Sequence, residues 1–271
     1  MTVLVLDTPE LAQKYEVLSD KQFEHGKLLI ADLALKKGEK VLDVGSGTGR
    51  LTDYVADIVG KTGLVVGVDP LPLRIEIAKQ KAQRKNHLQF AIAGAENLSA
   101  FADGQFDVVY LNSVFHWLAD KPLALKEIYR VLKPNGRLAI TAAAQEQPHT
   151  LQLLIQDLFR QEPFNRFTTA ASHSPQFKLS ISDTRDLLNE AGFDVVSSEI
   201  KTFVDYFDES HTVIDFSSSS SFGNFLSTLP ELIKTQALVT IQLALEEFRT
   251  PKGIELARNL IFTHAVKQAT H

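Results

Sequence analysis

Apolar positions in the first half of the chain fall into short runs separated by longer stretches with helical spacing. "KVLDVG", "GLVVGVD", "LQFAIAG", "FDVVYLNS" and "GRLAITAAA" read as buried strands. Between them, "GRLTDYVADIVG", "PLRIEIAKQKAQRKN" and "KPLALKEIYRVLKP" repeat their apolar residues every three to four positions. Buried strands alternating with helices predict parallel pairing through helical crossovers, a doubly wound α/β sheet. Upstream, Leu28, Leu29, Ile30, Leu33 and Leu35 predict an amphipathic helix ending near Gly38.

Beyond residue 145 the rhythm loosens. "HTLQLLIQDLFRQ" is helical in pattern, "FNRFTTAASHSPQFK" an irregular loop, and "SISDTRDLLNEAGF" a helix with a serine cap and a glycine stop. A strand is expected around "DVVSSEIKTFVDYF". "SSSSS", Ser217 to Ser221, reads as a polar hinge. Helical patterning is expected through "LPELIKTQALVTIQLALEEF" and "GIELARNL", with a closing strand in "LIFTHAVK". No internal repeat is present.

Composition narrows the function classes. The 271 residues suit one large domain or a domain with a cap. A formal charge of −5 and the lack of a long basic run argue against a nucleic-acid partner. With no cysteine, disulfides, thiolate nucleophiles and Cys-ligated zinc are impossible. The histidines lack H-x-x-x-H spacing, so no metal is expected. No signal-peptide core or membrane span is visible, and the expected setting is cytoplasmic.

Chemistry concentrates behind the first strand. "VLDVGSGTGRL", Val41 to Leu51, sets Gly45, Gly47 and Gly49 where a parallel sheet binds ligands, at a strand's carboxyl end. The third glycine comes one residue too early for the dinucleotide pattern G-x-G-x-x-G, and no lysine follows as a phosphate loop requires. Asp43 would repel a pyrophosphate and suits a cationic ligand. Asp69, ending the second strand in "VVGVDP", can accept from ribose hydroxyls.

These segments resemble the class I S-adenosylmethionine-dependent methyltransferases over roughly residues 38–145. "VLDVGSGTGRL" is similar to the first motif of that family, "VVGVDP" to the second and "GAENL" to the adenine-side segment. "FDVVYLNSVFHW" and "EIYRVLKPNGRLAIT" are similar to the later ones. The resemblance implies a Rossmann-like, seven-stranded, mostly parallel sheet with helical cap insertions. It also implies S-adenosylmethionine as cofactor, S-adenosylhomocysteine as product and no metal. By it, Gly45 and Gly47 admit the methionine part, Asp69 holds the ribose, Pro70 and Leu71 flank the adenine, and Ala95 and Glu96 lie beside its edge. Asp43, Ser46 and Asn112 complete the cofactor-binding set. Many relatives have an aspartate where Gly94 stands.

Within that superfamily, "NSVFHW" is similar to the trans-aconitate, biotin-pathway and juvenile-hormone-acid methyltransferases, whose Gln-Trp or His-Trp pair orients a substrate carboxylate. His116 and Trp117 take that role by resemblance. "KYEVLSDKQFEHG" is similar to the same group's N-terminal segment, in which Tyr15 and Gln22 would close over cofactor or substrate. The implied organisation is an N-terminal helical segment 1–40, a cofactor core 41–145 and a completion 146–271. A substrate cap is expected over 146–180 and 208–252, rich in phenylalanine.

The leading expectation is O-methylation of a small carboxylate by a monomer or homodimer. Alternatives are N-methylation, hydroxyl or phenol O-methylation, and a cofactor-binding protein of this fold without turnover. A nicotinamide oxidoreductase is disfavoured by the glycine spacing. RNA or protein methylation is disfavoured by "NSVF" standing where an N-P-P-Y-like tetrad would be. A positive group opposite His116 would favour a carboxylate. A negative or wholly aromatic pocket would favour amines or phenols.

Overall fold

The computed structural model describes residues 6–167 and 177–268, so part of the predicted irregular loop lies outside the described residues. Two helices open the chain, α1 (Pro9–Leu18) and α2 (Asp20–Asp32). The α/β alternation follows: β1 (Lys40–Val44), α3 (Arg50–Val59), β2 (Leu64–Asp69), α4 (Pro72–Ala82), β3 (Leu88–Ile92), β4 (Phe106–Asn112), α5 (Lys121–Val131) and β5 (Leu132–Ala143). The remainder is α6 (Thr150–Leu158), α7 (Ile181–Glu190), β6 (Phe193–Phe207), α8 (Ser210–Ser220), α9 (Glu231–Glu246), β7 (Arg249–Thr250) and β8 (Gly253–Lys267).

The strands form one sheet in the order β3-β2-β1-β4-β5-β8-β6, with the two-residue β7 paired on β8. The first five strands pair in parallel, whereas β8 runs antiparallel to both β5 and β6. This is the doubly wound sheet the pattern predicts, with one short extra strand. Buried Leu42, Val109, Leu125 and Ile128 pack one face, and Leu29, Val55, Ile75 and Tyr110 pack the other. A third cluster, including Phe159, Phe164, Phe216 and Ile241, lies under α6, α8 and α9.

The long hairpin of β6 and β8 positions the site. Leu260 of β8 is opposite Ala143, where β5 ends. Residues Gly253–Asn259 therefore continue past the carboxyl edge of the parallel strands, with Ile254 to Asn259 still paired with β6. At about 3.3 Å per residue this overhang is roughly 20 Å long, enough to wall one side of a cleft.

Three expectations change. The helix predicted to end near Gly38 stops at Asp32, because Ala34 takes a left-handed φ of 47° that no helix accommodates. "GIELARNL" is strand: Ile254, Ala257 and Leu260 mimic helical spacing, but buried Ile254 and Leu256 flank exposed Glu255, the alternation of a paired strand. The serine run is the end of α8 rather than a hinge. Its hydroxyls bond back to helix carbonyls, Ser217 to Val213 at 2.8 Å and Ser219 to Phe216 at 3.0 Å, and Ser219 is wholly buried. Within the phenylalanine-rich segments, Phe159, Phe164 and Phe216 pack in the third core cluster, while Phe222 faces Trp117.

Candidate active site

The glycine turn after β1 is folded tightly against the second strand. Gly45 and Ser46 both donate their amides to the Val68 carbonyl, at 2.7 and 2.9 Å. Gly45 has φ 82°, and a Cβ there would stand 2.2 Å from Val114. Gly47, at φ 54°, would bring a Cβ to 3.2 Å from the Tyr15 ring. A side chain at either place would close the turn, so the glycines keep it open to a ligand.

Both aspartates are buried and hydrogen-bonded. The parallel register sets Asp43 beside Tyr110, whose hydroxyl donates to it at 2.7 Å, and Thr52 of α3 donates at 2.6 Å. Desolvation pushes the Asp43 carboxyl up to about 7, opposed by those two bonds. Asp69 accepts from the amides of Gly47 and Leu71, each at 2.9 Å. Those bonds tie the glycine turn to the end of β2, and two carboxylate oxygens retain further lone pairs for a diol. Ala95 is buried, and Glu96 lies near enough to Gly94 that a Cβ on Gly94 would be 3.3 Å from its carboxylate.

Asn112 accepts from Thr141 at 2.8 Å and donates to the Gln22 carbonyl at 3.2 Å, so it joins α2 to the sheet. Two buried side-chain atoms near this turn, Oγ of Ser46 and Oε1 of Gln22, have no partner among the described residues. Buried polar atoms are ordinarily paired, so the orphans mark room for a polar ligand. Bare glycines, an acidic strand end and unpaired acceptors fit the amino-acid and ribose parts of S-adenosylmethionine.

A stack of side chains spans the cleft. Arg74, in the first turns of α4, is 2% exposed and lies between Tyr15, at 4.3 Å, and Phe222, at 4.7 Å. Its guanidinium bonds both carboxylate oxygens of Asp7 at 3.2 Å and the Ser219 carbonyl at 2.6 Å. Phe222 continues to Trp117 at 4.9 Å, and Trp117 to His116 at 5.3 Å. Arg74 thus joins the N-terminal segment, α4 and the end of α8, a role no local motif signals.

His116 and Trp117 occupy a short 3-10 turn, Phe115–Trp117, at the carboxyl end of β4. The Ala143 amide donates to Nδ1 of His116 at 3.2 Å. Burial holds this imidazole neutral, down to about 3, and the charges of Lys178, Lys121 and Arg258 push the same way. With Nδ1 accepting, the ring proton resides on Nε2, which can only donate.

Sequence reasoning missed the cations opposite His116. Lys121 is 5% exposed, donates to the Leu118 carbonyl at 2.8 Å, and is brought down to about 8 by burial against the opposing pull of Glu96. Lys178 donates to Gln152 and is likewise lowered to about 8 by burial. Arg258, on the overhang of β8, pairs with buried Asp205 through Nε at 3.0 Å. His149 accepts the Asn259 amide on Nδ1 at 3.0 Å and is held well below its ordinary range by burial, with Arg258 and Lys178 adding to the effect. No local spacing could have flagged any of these. Among the described residues no group of three or more His, Asp or Glu is arranged to hold a metal, and no helix is long and apolar enough to cross a membrane.

Comparison with known proteins places the central portion. Residues 42–140 match the family model of the methyltransferase domain. The chain is 39% identical over 109 residues to the ubiquinone/menaquinone biosynthesis C-methyltransferase UbiE of Haemophilus ducreyi, covering 39% of this chain and 42% of that one. It is 31% identical over 196 residues to the arsenite methyltransferase of Halobacterium salinarum, covering 71% of this chain and 46% of that one. The chain thus spans about half the length of these curated relatives. Its fold is similar to that of the YcgJ protein from Bacillus subtilis, with a TM-score of 0.61, 18% identity, and coverage of 91% of this chain and all of that one. The resemblance of the α/β core to the class I S-adenosylmethionine-dependent methyltransferases is thus matched over residues 42–140 by the methyltransferase domain and by methyltransferase relatives.

Proposed function

We propose that this chain methylates a small carboxylic acid on oxygen, with the acid held near His116 and Trp117. The observation that carries this reading is the gathering of Lys178, Lys121 and Arg258 near His116: the Phe177 amide, next to Lys178, donates to the His116 carbonyl at 2.7 Å, Lys121 donates to Leu118 just after the turn, and all three charges bear on the imidazole. Lys121 donates to a carbonyl and Lys178 to an amide oxygen rather than to a carboxylate among the described residues, so an anionic ligand would find partly desolvated positive charge. The arsenite relative suggests a different substrate, but this chain has no thiol for a soft arsenic centre.

In this reading Asp69, Ser46, Gly45 and Gly47 hold the cofactor, with Asp43 and Asn112 supporting the turn and Leu71, Pro70, Ala95 and Glu96 at the adenine. Tyr15 and Gln22 cover it. Residues 1–40 are the helical segment over the cleft, 41–145 the cofactor core, and 146–180 with 208–252 the acceptor cap. When bound, S-adenosylmethionine supplies an electrophilic methyl group, and a carboxylate oxygen that takes it yields a methyl ester and a neutral thioether with no proton to remove. His116 therefore needs only to donate from Nε2 and fix the nucleophilic oxygen in line, since position supplies most of the rate.

The test is turnover of a panel of small acids by His116→Ala and His116→Gln. Alanine should cost about 10²-fold, as misplacement of a reacting group does, while glutamine, which still donates, should retain much of the activity. Affinity for S-adenosylhomocysteine should stay unchanged in both, and the wild-type rate should stay flat through pH 6.5. Loss of cofactor affinity would make His116 structural. A fall in rate below pH 6.5 would make it a base for a hydroxyl or amine. Cofactor binding without methylation of any acid would support a binding protein instead.

A further inference from the structure

His25 lies on α2, three residues after Gln22, and residues so spaced share a helix face. Each presents a buried side-chain atom with no partner among the described residues, Oε1 of Gln22 and Nδ1 of His25. The His25 side chain is 7% exposed, and its ring packs on Phe203 with centroids 4.0 Å apart. Nε2 faces the Asp205 carboxylate at 3.6 Å, and Arg258 secures the other oxygen of that carboxylate. A carboxylate on the Nε2 side sets the tautomer, leaving Nδ1 as a bare acceptor. Burial keeps the ring neutral, down to about 4, so the Nδ1 lone pair is available at ordinary pH.

The other two histidines of this chamber are wired the opposite way. His116 and His149 each take a main-chain N–H on Nδ1 and so present a proton at Nε2. The three lie around one stretch of β8: Arg258 pairs with the Asp205 that faces His25, the Asn259 amide is donated to His149, and Leu260 is opposite Ala143, whose amide His116 takes. Two donors beside cations suit the oxygens of an acid. One buried acceptor, oriented by a carboxylate and left unpaired, suits nothing in an acid's oxygens and calls for an O–H or N–H.

We propose that Nδ1 of His25 receives a hydrogen bond from the methyl acceptor, which is a small acid carrying a hydroxyl or N–H besides its carboxylate. The acid part rests on the function proposed above; the donor part rests on His25 alone. His25 would be a specificity-determining contact, selecting among acids by a group remote from the reacting oxygen. A site built to pair a donor discriminates strongly against the analogue that lacks it, because its own acceptor is then left buried and unpaired.

Matched probes test this on the full chain saturated with S-adenosylhomocysteine. Calorimetry would compare lactate with propionate, salicylate with benzoate and 3-(3-hydroxyphenyl)propionate with 3-phenylpropionate, and the neutral pair catechol and phenol. In at least one acid pair the hydroxylated member should bind about tenfold tighter, the worth of one hydrogen bond. His25→Phe, which keeps ring volume, should abolish that preference, and His25→Asn, which keeps an acceptor near Nδ1, should retain part of it. Cofactor-product affinity should stay constant across the variants. A preference that is absent, or that survives in His25→Phe, overturns the inference, as does an equal loss for every ligand and for S-adenosylhomocysteine. A His25-dependent preference for catechol with no acid bound supports donor recognition and overturns the acidic reading. If no pair binds, both fall.

Discussion

The glycine turn and the histidine chamber are both buried and polar, yet they are stabilised differently. Around the turn, both carboxylates find their partners within the α/β core: Asp43 with Thr52 and Tyr110, Asp69 with the amides of Gly47 and Leu71. The chamber draws His25, His116, His149, Lys178 and Arg258 from separate segments, and it leaves His25 Nδ1 unpaired. The turn is thus organised by its own local fold, whereas the chamber exists only when the N-terminal helices, the cap and the β6–β8 overhang are docked. A cofactor common to many reactions can be held by the first kind of site. An acceptor peculiar to one reaction is read by the second.

The sharpest way to break this contrast is to cut the clamp that docks the pieces. Arg74 bonds Asp7 and the Ser219 carbonyl while stacked between Tyr15 and Phe222. Arg74→Leu would leave the Asp7 carboxylate, 5% exposed, without its counter-charge. Removing one partner of a buried pair costs about 3–5 kcal/mol. Hydrogen exchange should quicken in residues 6–20 and 210–226 while amides of β1, β2 and β4 keep their protection. Equal loosening of the parallel strands would show that the turn depends on the docked segments as much as the chamber does.

The same contrast explains what the sequence could say. Gly45, Gly47 and Asp69 announce themselves because a strand, a bare turn and a strand end follow one another within 30 residues, and local geometry leaves them few alternatives. Five parallel strands were legible for the same reason, since each centres on a short, mostly apolar run. The β8 overhang was not: "GIELARNL" satisfies two periodicities, and only pairing with β6 decides between them. The serine run misleads because serine disfavours helix interiors in isolation, and burial of Ser219 against Arg74 overrides that preference. Lys178, His149 and Arg258 carry no spacing at all, for tertiary packing alone brings them to His116.

A smaller effect tests the turn itself. Asp69→Ala removes a carboxylate that holds the Gly47 and Leu71 amides and, in the proposed site, the ribose. The loss of charge-assisted bonds should weaken S-adenosylmethionine binding by about 1.5–3 kcal/mol. Calorimetry should show that loss with no change in the pattern of acid selectivity. If affinity is unchanged, Asp69 is a turn-former only, and the turn is not the cofactor half of the site.

Acid sensitivity offers the finest probe, because the two regions push stability in opposite directions. In the chamber, His25 and His116 are depressed to about 4 and about 3, and His149 lies well below its ordinary value, each chiefly by burial. Unfolded histidines take up protons below about pH 6.5, so from there down to about 4 the unfolded chain binds more protons and stability falls as pH falls. At the turn the sign reverses. Asp43 is raised to about 7 and Asp69 is also raised, both by burial, so the folded chain binds protons that an unfolded carboxyl releases above about 4. Their contribution is present at low pH and is lost as pH rises toward 7. Each group bears on the slope by about 1.4 kcal/mol per pH unit. Three histidines against two carboxyls leave a net fall that is small at pH 6.5 and steepens on acidification, approaching about 1.4 kcal/mol per unit near pH 5. Denaturant titrations at several pH values should show it. His25→Phe should flatten that slope and Asp43→Asn should steepen it. A slope indifferent to His25→Phe would mean that the chamber admits water freely, and the contrast between a wired turn and a dry, assembled chamber would fail.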